Sequence, residues 1–153
     1  MFALLNHFRA TAALLGVSVV LAAAGCSGGV KTVPVSGKVT LGGVPVSPEG
    51  EGWSGTVTYH PDEEKGTKAG GPLLLGTIGE QGAYAISGGG KAGVPPGWYK
   101  VTVDIKKSGN PKDPYALPTP LVGKQFTDPK LTPLSKEVKA DAPEGAYDLP
   151  VSK

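Results

Sequence analysis

The sequence predicts an all-β fold, an antiparallel two-sheet sandwich of about seven strands. Three observations carry that expectation. Short apolar segments alternate residue by residue, the period of a strand with one buried face. Glycine (24) and proline (15) cluster between those segments, the pattern of turns separating short strands. After the first 26 residues no segment shows a helical period. Gly and Pro together form about a quarter of the chain, close to the level of low-complexity disorder, but the alternation between the clusters argues for packed strands.

Val33, Val35, Gly37, Val39 and Leu41 alternate with Thr32, Pro34, Ser36, Lys38 and Thr40, which predicts a strand over 33–41. Gly42-Gly43 supplies a turn, and Val44-Pro45-Val46 restarts an extended run. Residues 47–55 read as a glycine-rich loop holding Trp53. Alternation returns over Thr56–His60, with Val57 and Tyr59 apolar, and Pro61 ends it. The charged, glycine-rich stretch 62–72 reads as a solvated loop.

Strands are expected over Leu73–Ile78 and Ala83–Ser87, separated by a turn at Glu80-Gln81-Gly82. Residues 88–97 read as a turn region. The clearest strand is Trp98–Lys106, with Tyr99, Val101, Val103 and Ile105 on one face and Trp98, Lys100, Thr102, Asp104 and Lys106 on the other. Residues 107–134 hold six prolines and little periodicity. Such a long loop is either functional or laid across the surface. Closing strands are expected over Ser135–Ala140 and Ala146–Val151.

The first 26 residues carry a different signal. His7 and Arg9 precede an apolar stretch, Ala10–Ala24, that is shorter than the roughly 20 residues a spanning helix needs. It ends on Ala23-Ala24-Gly25-Cys26, and Cys26 is the only cysteine. The order is that of a secretory signal, and its end resembles a bacterial lipoprotein signal, with Ala23 where Leu is commonest. The alternative is an ordinary signal peptide with an incidental cysteine.

On the lipoprotein reading residues 1–25 are removed and Cys26 carries a thioether diacylglycerol and an N-acyl chain, palmitate among such chains. Residues 26–31 form the lipidated tether and residues 32–153 the folded domain. Each buried methylene adds about 0.8 kcal/mol, so several chains hold the protein at the membrane. Ser27 follows the cysteine; by resemblance to lipoproteins in general, a residue other than Asp there favours the outer membrane. The expected address is therefore the cell envelope.

Composition narrows the chemistry. Arg9 leaves with the signal, so 14 lysines face 13 acidic residues. The charges are scattered, which predicts no nucleic-acid partner. One histidine is left, His60, and no Gly-x-Ser-x-Gly elbow occurs. Nucleophilic catalysis needs a base beside the nucleophile and a group orienting it, so no catalytic residue is expected. Glu49, Glu51 and the 62–64 carboxylates define no acid–base pair.

His60-Pro61-Asp62-Glu63-Glu64 is the one cluster that could recruit a cation. Calcium wants several converging oxygens and zinc more His or Cys than the chain holds. Neither a metal nor any other cofactor is expected, and the cluster reads as an exposed strand end followed by a solubilising turn. Trp53, Trp98 and Tyr115 are the candidate ligand or partner contacts. A tryptophan in a glycine-rich loop stacks on a sugar or a partner, or folds back over the sandwich as large aromatics usually do. Pro111–Pro120 suits an extended polyproline segment that either meets a partner groove or covers the sandwich.

The pieces taken in order resemble small bacterial lipoproteins with a carboxypeptidase regulatory-like, or transthyretin-like, domain. The matching runs are Val35–Val46, Val57-Thr58-Tyr59-His60-Pro61-Asp62, Gly76-Thr77 through Gly82–Ile86, Val94–Val103, and Phe126–Pro129 to Thr132-Pro133-Leu134 ahead of Glu137-Val138. The loop holding Trp53 is longer than that pattern, and the turn at Gly79–Gly82 lacks its Asp-rich sequence. The resemblance implies a prealbumin-like or Ig-like sandwich without enzymatic activity. The expected function is a non-catalytic, lipid-anchored envelope domain with a structural or protein-interaction role. Its alternative is a carbohydrate-binding module using Trp53 and Trp98. The expected partners are the membrane, through Cys26, and an envelope protein or polysaccharide.

Overall fold

Two β-sheets pack face to face in the structure, a computed structural model that describes residues 31–47, 52–109, 112–113 and 115–153. Cys26, the signal segment and Glu49 and Glu51 lie outside the described residues. In chain order the strands are β1 (Ser36–Leu41), β2 (Val44–Pro45), β3 (Trp53–Pro61), β4 (Leu74–Thr77), β5 (Ala83–Ala85), β6 (Ser87–Gly88), β7 (Lys91–Ala92), β8 (Gly97–Lys107), β9 (Thr119–Pro120), β10 (Ser135–Val138) and β11 (Leu149–Val151). Four of them are two-residue pieces, and the other seven carry the sandwich. Three single-turn 3-10 segments, at 63–65, 80–82 and 124–126, are the helical turns among the described residues.

One sheet runs β11-β1-β2, with β5 also paired to β1; the other runs β10-β8-β3-β4-β6-β7, with β9 also on β8. All pairings are antiparallel except β1 with β11, which lie parallel with Val39 opposite Leu149. The first and last strands of the domain are thus neighbours. The β3–β8 pair is the spine, in register from Trp53 opposite Lys107 to Pro61 opposite Tyr99.

The alternation read in the sequence becomes the core. Tyr99, Val101, Val103 and Ile105 of β8 and Val57 and Tyr59 of β3 are at most 1% exposed, facing Val39 and Leu149 of the other sheet. Tyr59 and Tyr99 stack obliquely, their centroids 5.8 Å apart. Burying such side chains contributes about 1.5–3 kcal/mol each.

Several boundaries differ from the expectation. Trp53–Gly55 is strand, not loop: β8 extends to Lys107 and offers an unpaired edge, so β3 continues through a glycine that carries no side-chain signal. Residues 87–92 form a small hairpin because Gly89 and Gly90 adopt the positive φ that a two-residue turn needs. Thr119–Pro120 pairs with Lys106–Lys107, which ties the proline-rich segment to the sheet edge. The closing strands are shorter than expected, since hydrogen-bonded turns occupy Pro143–Asp148.

Candidate functional site

The two tryptophans lie at opposite ends of the spine. Trp53 starts β3 and Trp98 sits beyond its far end, where the Asp62 amide donates to the Trp98 carbonyl over 2.9 Å. Nine residues of strand at about 3.3 Å each separate them by roughly 30 Å. They also point to opposite faces. Trp53 shares the inward face of Val57 and Tyr59, whereas Trp98 alternates with the buried Tyr99. One ligand therefore does not stack on both rings.

Trp53 is half-buried against the core. A Cβ placed on Gly55 would lie 2.6 Å from its ring and 3.0 Å from the Ile78 methyl, so the missing side chain is what lets the indole lie flat on its own strand. Trp98 instead forms a wall of an open groove of about 480 Å³, lined also by Pro61, Pro72, Pro95, Pro96 and Tyr99. Lys65 and Lys68 line it too, and no carboxylate does. Lys65 Nζ stands 4.0 Å from the centroid of the Trp98 ring and donates to Ser135 Oγ over 2.8 Å. The Trp98 amide donates to Thr67 Oγ1 at 2.7 Å, which fixes the turn against the strand. Cation–π contacts of this kind contribute about 0.5–1 kcal/mol at exposed sites.

The lysines of this groove were missed by sequence reasoning. The available signal was Pro95-Pro96-Gly97 leading into a strand with an outward tryptophan; nothing local pointed to Lys65, which arrives from a turn 33 residues earlier.

Tyr115 is 89% exposed and Leu117 84% exposed, both on the segment beyond β8 at the Trp53 end. Two hydrogen bonds close a turn at Asp113, and the chain meets the sheet again at β9. The Tyr115 amide donates to Asp113 Oδ1, the Ala116 amide to the Asp113 carbonyl, and β9 pairs with β8.

The His60–Glu64 cluster does not converge. His60 lies on the outer face of β3 within 3.0 Å of Thr102 Oγ1, and partial burial lowers its pKa below the usual histidine value. Asp62 is only 3% exposed and its Oδ2 has no hydrogen-bond partner, which corrects the expectation of a wholly exposed strand end. Its backbone explains the burial, since the Asp62 carbonyl accepts from the Lys65 and Thr67 amides. Glu63 and Glu64 are exposed on the 3-10 turn, and Lys100 and Lys130 share the shallow depression beside them. Among the described residues no three His, Cys, Asp or Glu side chains are grouped to hold a metal ion.

Inside the sandwich sits a polar chain the sequence did not reveal. The Tyr59 and Tyr84 hydroxyls are 3.1 Å apart, and Tyr84 donates to the Tyr147 carbonyl. Burial pushes the Tyr59 hydroxyl up to about 12, opposed by its bond to Tyr84. Tyr84 is raised as well, by burial first and then by Tyr59. These hydroxyls satisfy one another across the two sheets, as buried polar groups must.

Comparison of the chain with protein-family models, characterised proteins and solved structures returned no match.

Proposed function

We propose that this chain is a non-catalytic, lipid-anchored domain of the cell envelope, delivered to the outer membrane, whose role is to contact an envelope protein. The Ala23–Cys26 signal and the resemblance to carboxypeptidase regulatory-like lipoproteins support the anchor and the address. The interaction role rests on one observation above the others: Tyr115 and Leu117 are almost fully exposed just ahead of β9, which pairs with the end of β8. Large apolar side chains presented together on an ordered surface mark interaction sites, and aromatic anchors dominate binding energy.

Photo-crosslinking from position 115 in intact cells tests the reading. The expected result is one recurrent envelope protein whose capture is lost on Leu117→Ala. Labelling no stronger than that from a probe at exposed Lys124 would contradict it. Carbohydrate binding is the second reading, favoured by the Trp98 groove; it predicts that envelope polysaccharide changes Trp98 fluorescence and leaves Trp53 unaffected.

A further inference from the structure

The end of the sandwich that carries the Trp98 groove is also the end at which the N-terminal segment enters the fold. Val33 and Val94 exchange backbone hydrogen bonds of 2.8 and 2.9 Å, and Thr32 Oγ1 donates to the Ala92 carbonyl. From there the sheet registers lead step by step to the groove. Lys91 lies opposite Gly88, Gly88 opposite Leu74, Leu74 opposite Tyr59, and Pro61 opposite Tyr99. Pro95 and Pro96, which wall the groove, directly follow the Val33–Val94 bridge.

Resting on the anchor proposed above, we infer that this end of the domain docks on an anionic lipid surface, with Trp98 at the headgroup level. Three observations converge on that occupant. Val33 lies seven positions after Cys26, a reach of at most about 25 Å, whereas the Trp53 end lies roughly 30 Å further along the spine. The charged side chains that line the groove are Lys65 and Lys68, with no carboxylate among its lining; around it Lys31 and Lys91 are exposed, as are Glu63, Glu64 and Glu137, the last opposite Trp98 on β10. Lysines close to an anionic leaflet are drawn to it electrostatically. Glu63 and Glu64 are on the same turn and border the depression shared with His60 and Lys130; neither lines the groove, although Glu63 also adjoins the groove residues Gly66, Thr67 and Lys68 in a smaller depression.

The apolar partners of the lysines suit the same surface. Trp98 is half-buried and lines the open groove, and Leu73, beside the groove residue Pro72, is 65% exposed. Tryptophan has an apolar body and a polar N–H, the reason it concentrates at membrane interfaces. Docking in this way turns the Tyr115 end outward, where an envelope protein meets it.

The two tryptophans, one at each end, make the test internal to the molecule. The full lipidated chain, purified from membranes, is reconstituted in vesicles of phosphatidylethanolamine and phosphatidylglycerol carrying a fraction of brominated lipid. Trp53→Phe leaves Trp98 as the reporter, and Trp98→Phe leaves Trp53. The expected result is strong quenching and a blue shift for Trp98 with little change for Trp53. Lys65→Glu with Lys68→Glu, in the Trp53→Phe background, is expected to abolish most of the Trp98 quenching without releasing the protein from vesicles.

Protein that floats with the vesicles while both tryptophans respond equally, or not at all, overturns the docking and leaves the anchor standing. Protein that does not float overturns both. Protection of Trp98 by added envelope polysaccharide, with no lipid quenching, overturns the docking and assigns the groove to a glycan.

Discussion

Gly82 and Gly42 both adopt positive φ, +72° and +61°, yet they stand in different surroundings. A Cβ on Gly82 would lie 2.2 Å from the Val39 carbonyl oxygen, in the middle of the sandwich, whereas one on Gly42 meets open space at the β1–β2 turn. Gly42→Ala is expected to cost about 1 kcal/mol, the strain of the left-handed backbone alone. Gly82→Ala adds a clash with backbone and is expected to cost more than about 3 kcal/mol. Urea unfolding midpoints, with the slope unchanged, check both values.

The tyrosine chain makes a second prediction at this scale. A phenol whose folded pKa is raised from 10.0 to about 12 contributes stability that is complete below pH 10 and lost as pH rises toward 12. For Tyr59 that amounts to about 3 kcal/mol. Unfolding midpoints measured from pH 8 to 11.5 are expected to be level and then fall above about pH 10, and Tyr59→Phe is expected to reduce the steepness of the fall. An unchanged slope in Tyr59→Phe would place the alkaline instability elsewhere.

Among elements, the β3–β8 pair organises the rest, and it was the most legible in the sequence. The four inward positions of β8, Tyr99 to Ile105, alternate without a break, so their burial could be read from period alone. The Trp53 end of β3 was not legible, because Gly52 and Gly55 carry no hydrophobic signal and the pairing that makes it a strand comes from Ser54 opposite Lys106. The 87–92 hairpin and β9 were hidden for the same reason: pieces of two residues are too short to show a period. Of the candidate site, the outward direction of Trp98 followed from alternation, while its lysine came from a distant turn. Since Trp53 covers Gly55 and Ile78, Trp53→Ala is expected to destabilise by about 2 kcal/mol, below the cost at a fully buried aromatic. Thermal unfolding of the variant measures it, and a neutral outcome would mean that the indole does not rest on the strand.

Over the whole molecule, the two ends of the sandwich differ in chemistry. One end receives the N-terminal segment and holds the lysine-flanked Trp98 groove; the other displays Tyr115 and Leu117. Among the described residues the buried polar groups besides the mutually bonded hydroxyls are Asp62, Thr102 and Thr132, the last donating to the Val101 carbonyl. A polarised domain of this kind suits a protein held to a surface at one end and read by a partner at the other. Acyl chains on Cys26, as proposed above, would define which end faces the membrane.

The most direct measurement is therefore the intact mass of the protein purified from native membranes, with sequencing of its first peptide. The account predicts a chain that begins at Cys26 and carries diacylglyceryl and N-acyl mass on that residue. A chain that begins elsewhere, or at Cys26 with no added lipid, would contradict it.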